Sequence, residues 1–141
     1  RNALTLVLEQ QYINHMVEHA QDEFPNECCG ILAGKDGECV KAYRARNAEE
    51  SPYRYNMDHK DLLRIWREVE FENDWQIMAI YHSHTFSEAY PSQTDIGLAL
   101  YPDAYYILVS LADLTNPIVR AYRIDRENRV VTEEPIEIIP E

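Results

Sequence analysis

The spacing of apolar residues changes several times along the chain, and each change predicts an element. Ala3 to Leu8 is apolar and reads as a first strand. From Glu9 to Phe24 the apolar positions are Tyr12, Ile13, Met16, Val17, Ala20 and Phe24, the spacing of a helix with one inward face. Pro25 and Asn26 end it. Cys28 to Ala33 is short, apolar and closed by Gly34, which predicts a buried strand. It turns at Lys35-Asp36-Gly37 into a hairpin partner over Glu38 to Arg46. Asn47 to Asn56 is polar, contains Pro52 and has no clear period, so it predicts a loop with strand character around Tyr53 to Tyr55. Asp58 is a good N-cap for a second helix to about Asn73, with Leu62, Ile65, Trp66 and Val69 as its inner stripe.

Gln76 to Tyr81 is a continuous apolar run, the signature of a central strand. A loop from Thr85 to Pro91 follows, and Ser92 opens a short third helix to about Leu100. Tyr105 to Leu111 predicts another buried strand. Ile118 to Ile124 and Arg129 to Val131 predict a hairpin across Arg126-Glu127-Asn128, and the tail from Pro135 an edge strand. Helices and strands mixed in this way, with antiparallel hairpins, predict an α/β fold with a mixed central sheet flanked by helices. The 141 residues suit a single domain, 1–141, long enough to bury a core.

Charge narrows the partners. Thirteen basic against 25 acidic residues leave a net charge of −12, which disfavours nucleic acid because a phosphate backbone needs basic patches. Three cysteines, Cys28, Cys29 and Cys39, are an odd count with an adjacent pair, unlike a disulfide framework. No apolar run approaches the ~20 residues that span a bilayer. Neither a signal-peptide pattern nor a glycosylation sequon is present. These features together predict a cytoplasmic protein without a membrane partner.

The chemistry is concentrated in His82-Ser83-His84, followed by ten residues and then Asp95. Side chains two apart on a strand point the same way, so His82 and His84 project from one face. Asp95 falls in the first turn of the next helix, and the loop between can return it to the histidines. Two imidazoles and a carboxylate leave a fourth tetrahedral position open, as in a catalytic zinc site. Zinc there would lower the pKa of a bound water to about 7. Ser92 shares the short helix with Asp95 and could face a substrate carbonyl. Glu27 opens an apolar strand, where a carboxylate is out of place unless it has a task. Simpler readings exist for each residue. Asp95 suits a helix first turn, Ser92 and Asp95 suit a capping box, and Glu27 suits a solvated strand end. They do not account for the coincidence of all four.

Glu27, His82-Ser83-His84, Ser92 and Asp95 reproduce the pattern E…H-[ST]-H-x7-S-x2-D. This resembles the JAMM (MPN+) family of zinc metallopeptidases, over nearly the whole chain from the strand at Glu27 to Ile124. The resemblance implies a deaminase-like α/β/α sandwich. It implies one zinc per chain held by His82, His84 and Asp95, with Glu27 activating water and Ser92 steadying the tetrahedral intermediate. Thr85 stands where many members have proline, and the loop from Thr85 to Pro91 is similar to the short bacterial branch. Members of that branch release cysteine or other adducts from the Gly-Gly tail of ubiquitin-like sulfur carriers. Such a tail fits a narrow groove and can pair with a strand edge. The expected contacts are Tyr53, Tyr55 and Met57, with Phe86 and Tyr90 in the loop.

Three rival readings are weaker. A non-catalytic MPN scaffold would lack metal ligands. A thiol peptidase would need Cys28 or Cys29, both in an apolar strand. A nucleobase deaminase would need a P-C-x-x-C pair, and the H-E-x-x-H helix of other zinc peptidases is also missing. His15 and His19 lie one helical turn apart and read as a charged helix flank, and His59 as an exposed residue near a helix start.

Overall fold

A computed structural model describes residues 5–141. The chain runs β1 (Leu6–Glu9), α1 (Gln10–Glu23), β2 (Cys29–Lys35), β3 (Glu38–Ala45) and α2 (His59–Trp66). It continues through β4 (Gln76–His84), α3 (Gln93–Gly97), β5 (Tyr105–Ser110), β6 (Ile118–Asp125), β7 (Val130–Glu134) and β8 (Ile136–Ile139). Six strands form one mixed sheet in the order β3-β2-β4-β5-β6-β7. Only β4 and β5 pair in parallel; the other pairs in this sheet are antiparallel. A parallel pair needs a crossover connection, and here the crossover carries α3.

Alternation along the strands divides the core into two faces. Ile31, Ile80, Tyr106 and Leu108 point to one face and pack with Ile65 and Val69 after the second helix's start, and with Ile96 of α3. Leu32, Ala79, Tyr81, Ile107 and Val109 point to the other face and pack under α1 through Ile13, Met16 and Ala20. The result is the expected helix–sheet–helix sandwich. No helix among the described residues is long and apolar enough to cross a membrane.

Several local expectations are corrected. The first strand starts at Leu6, while Ala3 and Leu4 lie outside the described residues. The tail does not extend the main sheet: β8 pairs in parallel with β1 as a separate two-stranded sheet, and buries Leu6 and Leu8 against α1's face. The second helix is capped by Asp58, which accepts from the Asp61 amide, but ends as an α-helix at Trp66. Arg67–Glu72 continues as a π-helix. Of the expected inner stripe, Ile65 and Val69 are buried and Leu62 half-buried, while Trp66 is exposed. The segment around Tyr53 to Tyr55 is not a strand; among the described residues the loop closes through an isolated Asn47–Met57 bridge outside it. His19 is no charged flank: it is buried and 2.6 Å from the Tyr81 hydroxyl, which His15 approaches from 3.2 Å.

Gly30 lies opposite Tyr81 in the sheet. A Cβ there would come within 2.4 Å of both the Tyr43 carbonyl oxygen and the buried Tyr81 ring. Gly30→Ala is therefore expected to lower unfolding stability by about 1–3 kcal/mol, measured by urea denaturation; an unchanged midpoint would contradict this packing.

Candidate active site

The pairing of β2 with β4 places the candidate residues. Cys29 lies opposite His82 in an antiparallel register. Continued outward by two residues, the same register sets Glu27 opposite His84. Parity then puts Glu27, His82 and His84 on the face shared with Cys29 and Ile80, beneath α3. The register is pinned at Cys28, whose amide donates to Ser83 Oγ at 2.8 Å while the Ser83 amide donates to its carbonyl at 3.1 Å. The side chain between the two histidines thus points to the opposite face and ties the strands together.

Asp95 arrives from the crossover. Ser92 caps α3 by accepting from the Asp95 amide at 3.0 Å, and Asp95 Oδ2 accepts from the Ser92 amide at 2.8 Å. This capping box fixes the carboxylate with one oxygen turned to the histidines. His84 Nε2 lies 2.9 Å from Asp95 Oδ2, and His82 Nε2 lies 3.1 Å from the same oxygen but out of line for a hydrogen bond. The loop after His84 is anchored beneath the site. Ser110 Oγ donates to the Ser87 carbonyl at 2.6 Å, and the Tyr122 hydroxyl donates to the Ala89 carbonyl.

His84 Nδ1 is 2.7 Å from the Glu88 carbonyl, an acceptor, so that nitrogen carries the proton in the neutral ring. Nε2 is then a lone pair facing a carboxylate oxygen at hydrogen-bond distance. Two acceptors that close require a proton or a cation between them. His82 has both ring nitrogens buried without partners. The ligand atoms of His82, His84 and Asp95 all lie within 4.8 Å of one another. Four-coordinate zinc with ~2.0–2.1 Å bonds sets its ligands about 3.3 Å apart, so this donor set fits the ion in chemistry and spacing.

Electrostatics agree with that arrangement. Burial depresses the His82 pKa. For His84 burial acts the same way, but the Asp95 carboxylate and the Glu88 carbonyl outweigh it and raise the value. Burial pushes Asp95 upward, yet the adjacent imidazoles of His82 and His84, with the Ser92 amide, hold it well below the usual carboxylate range. Glu27 is 4% exposed, and burial raises its pKa to about 8, partly offset by His84 and reinforced by Asp95. Its Oε1 is buried without a partner.

The residues expected to touch substrate are distributed unevenly. Tyr53, Phe86 and Tyr90 are exposed and Met57 is half-buried. Tyr53 and Phe86 stand with ring centroids 6.0 Å apart, and Phe24 adds a third ring 5.8 Å from Phe86. Tyr55 is buried and stacks on the His82 ring at 4.1 Å. It packs against a candidate ligand instead of presenting an open surface. The Glu88 carbonyl and the Asn47 side chain also meet the site residues, and neither has a local signal in the sequence.

A sequence profile described as prokaryotic homologs of the JAB domain matches residues 9–125. The chain belongs to this family. The JAB domain is 43% identical over 136 residues to the CysO-cysteine peptidase of Mycobacterium tuberculosis, covering 95% of this chain and 91% of that protein. It is 30% identical over 105 residues to the desampylase of Pyrococcus furiosus, covering 74% of each. The solution structure of a protein from Desulfitobacterium hafniense superposes with a TM-score of 0.82 at 29% identity, over 96% of this chain and 93% of that one. Relatives with these enzyme names support hydrolase activity for the JAB domain.

A carboxyl with a raised folded-state pKa stabilises the fold most below its unfolded pKa, and that contribution is lost as pH rises through the folded value. Glu27 therefore favours the metal-free fold at pH below about 4.5 and opposes it increasingly up to about 8. Metal-free protein is expected to lose roughly 2 kcal/mol or more between about pH 6 and about pH 9, and Glu27→Gln to flatten that loss. Urea unfolding in chelator across this range measures both; parallel slopes would remove Glu27 as the source.

Proposed function

We propose that this JAB domain is a zinc metallopeptidase that hydrolyses the peptide or isopeptide bond after the C-terminal Gly-Gly of a ubiquitin-like or sulfur-carrier protein. The observation that carries the zinc reading is the buried trio, in which the lone pair of His84 Nε2 faces Asp95 Oδ2 and His82 has no partner. His82, His84 and Asp95 would hold the ion. Bound zinc supplies Lewis acidity, lowering the pKa of a water ligand to about 7 and polarising a carbonyl.

The protein's own groups handle the protons and the geometry. Glu27, as the carboxylate, takes a proton from the attacking water as the oxygen bonds to the carbonyl carbon. It returns that proton to the leaving nitrogen as the C–N bond breaks. A nearby cation would lower the Glu27 pKa from about 8 toward neutrality, the range in which a general base works best. Ser92 Oγ uses an acceptor position for the Asp95 amide, which leaves its proton to donate to the developing oxyanion. Tyr53, Phe86, Tyr90 and Met57 are the residues assigned to meet the tail, of which Tyr53, Phe86 and Tyr90 are exposed. A Gly-Gly tail would suit a narrow approach to buried ligands, because it passes backbone without side chains.

The substrate class rests on the names of the relatives, one acting on a CysO-cysteine and another called a desampylase. The released group is cysteine or another adduct on the tail.

Glu27→Gln is expected to keep one zinc per chain while cleavage of a ubiquitin-like protein ending in Gly-Gly-Cys falls by about 10²-fold or more. Zinc analysis and mass spectrometry of the product test this together. Retained cleavage would remove Glu27 from the mechanism, and stoichiometric zinc with no cleavage of any tail substrate by the wild type would favour a non-catalytic scaffold. Chelation is expected to abolish cleavage, with zinc restoring it, while Cys28→Ala and Cys29→Ala keep it. Both thiols are buried, with pKa values pushed to about 12 for Cys28 and beyond for Cys29, too high for a nucleophile.

A further inference from the structure

We infer that Asn47 is the positioning residue of Glu27, and that the loop from Asn47 to Asp58 is the clamp through which it acts. The inference rests on the assignment of Glu27 as the proton carrier. Glu27 Oε1 has no hydrogen-bond partner, while the Glu27 main chain is held at both its carbonyl and its amide. Asn47 is buried and uses all four hydrogen-bonding positions of its amide. Nδ2 donates to the carbonyls of Glu27 and Arg54, each at 3.0 Å. Oδ1 accepts from the amides of Glu49 and Asn56, each at 3.0 Å. With two carbonyls on one side and two amides on the other, only one orientation of the side chain fits.

The loop grips Glu27 from a second point, where the Glu27 amide donates to the Ser51 carbonyl at 2.9 Å. The same loop reaches the ligand strand. Thr85 Oγ1 donates to the Pro52 carbonyl at 2.6 Å, and Tyr55 stacks on His82. On the other flank of Glu27, Ser83 Oγ holds the Cys28 amide. Proton carrier and metal ligands are thus referenced to one frame with Asn47 at its centre. Losing the Nδ2 donor frees the Glu27 carbonyl without removing a ligand, and a displacement of an ångström can cost about 10²-fold in rate.

Asn47→Asp is nearly isosteric and keeps the acceptor oxygen while losing both donated bonds. Zinc-loaded full-length variants are compared on the Gly-Gly-Cys-tailed protein, with zinc affinity measured by chelator competition. Asn47→Asp is expected to lower kcat about 10- to 100-fold, with KM within about twofold and zinc affinity within about threefold. In the Glu27→Gln background the same change is expected to cost less than about twofold, because the group it positions is already gone. Exchange of the Glu27 and Cys28 amides in the metal-free protein should quicken tenfold or more. Ser83→Ala provides a second variant if Asn47→Asp does not fold, with the same expected non-additivity. Equal losses in both backgrounds, or wild-type kcat in a folded variant, would overturn the inference. Full activity of Glu27→Gln itself would instead overturn the assignment of Glu27, and is read from the single variant alone.

Discussion

The antiparallel register of β2 on β4 is the constraint on which the site depends. Cys29 opposite His82 sets Glu27 opposite His84, and one residue of slip would turn Glu27 to the other face of the sheet. Two features hold the register in place. Ser83 exchanges side-chain and main-chain bonds with Cys28 at one end, and Gly30 admits the Tyr81 ring where any side chain would collide. The motif residue between the histidines is therefore a joint between strands, while its neighbours face the chemistry.

Alternate residues of β4 show how differently the fold treats its buried polar groups. Tyr81 meets His19 and His15, and Ser83 meets the Cys28 amide, so the polar groups on α1's face are satisfied within the protein. On the opposite face His82 has two unpartnered nitrogens and Glu27 an unpartnered oxygen. Buried polar atoms without partners cost about 1–3 kcal/mol each, so their concentration on one face is a standing destabilisation. A cation among His82, His84 and Asp95 would take up one of the His82 nitrogens and so relieve part of it. This asymmetry distinguishes the buried structural histidine, His19, from the buried candidate ligands His82 and His84.

Outside the ligand set, the surroundings are built for rigidity. The capping box on α3, the anchored loop below His84 and the four-bonded Asn47 each fix a functional group through the main chain. The exposed rings of Tyr53 and Phe86 stand at the rim of this frame, where they are free to meet a partner. Rigid interior and apolar rim together suit the proposed hydrolysis, in which the reacting groups must be held in place beside a surface open to a partner.

The sequence by itself determined what is local. Period-2 alternation put His82 and His84 on one side of a strand, helical spacing located α1, and the Ser92–Asp95 offset carried the cap. Those features involve neighbours within a few residues, where backbone geometry dictates direction. The tertiary structure decided what is distant in the chain. Only strand pairing brings Glu27 opposite His84, only the folded loop brings Tyr55 onto His82 and Asn47 beneath Glu27, and only packing sends the tail to β1 instead of the main sheet. Glu27 was recognisable through its family pattern, but its partners were not, because register and loop closure bring together residues that no spacing rule connects.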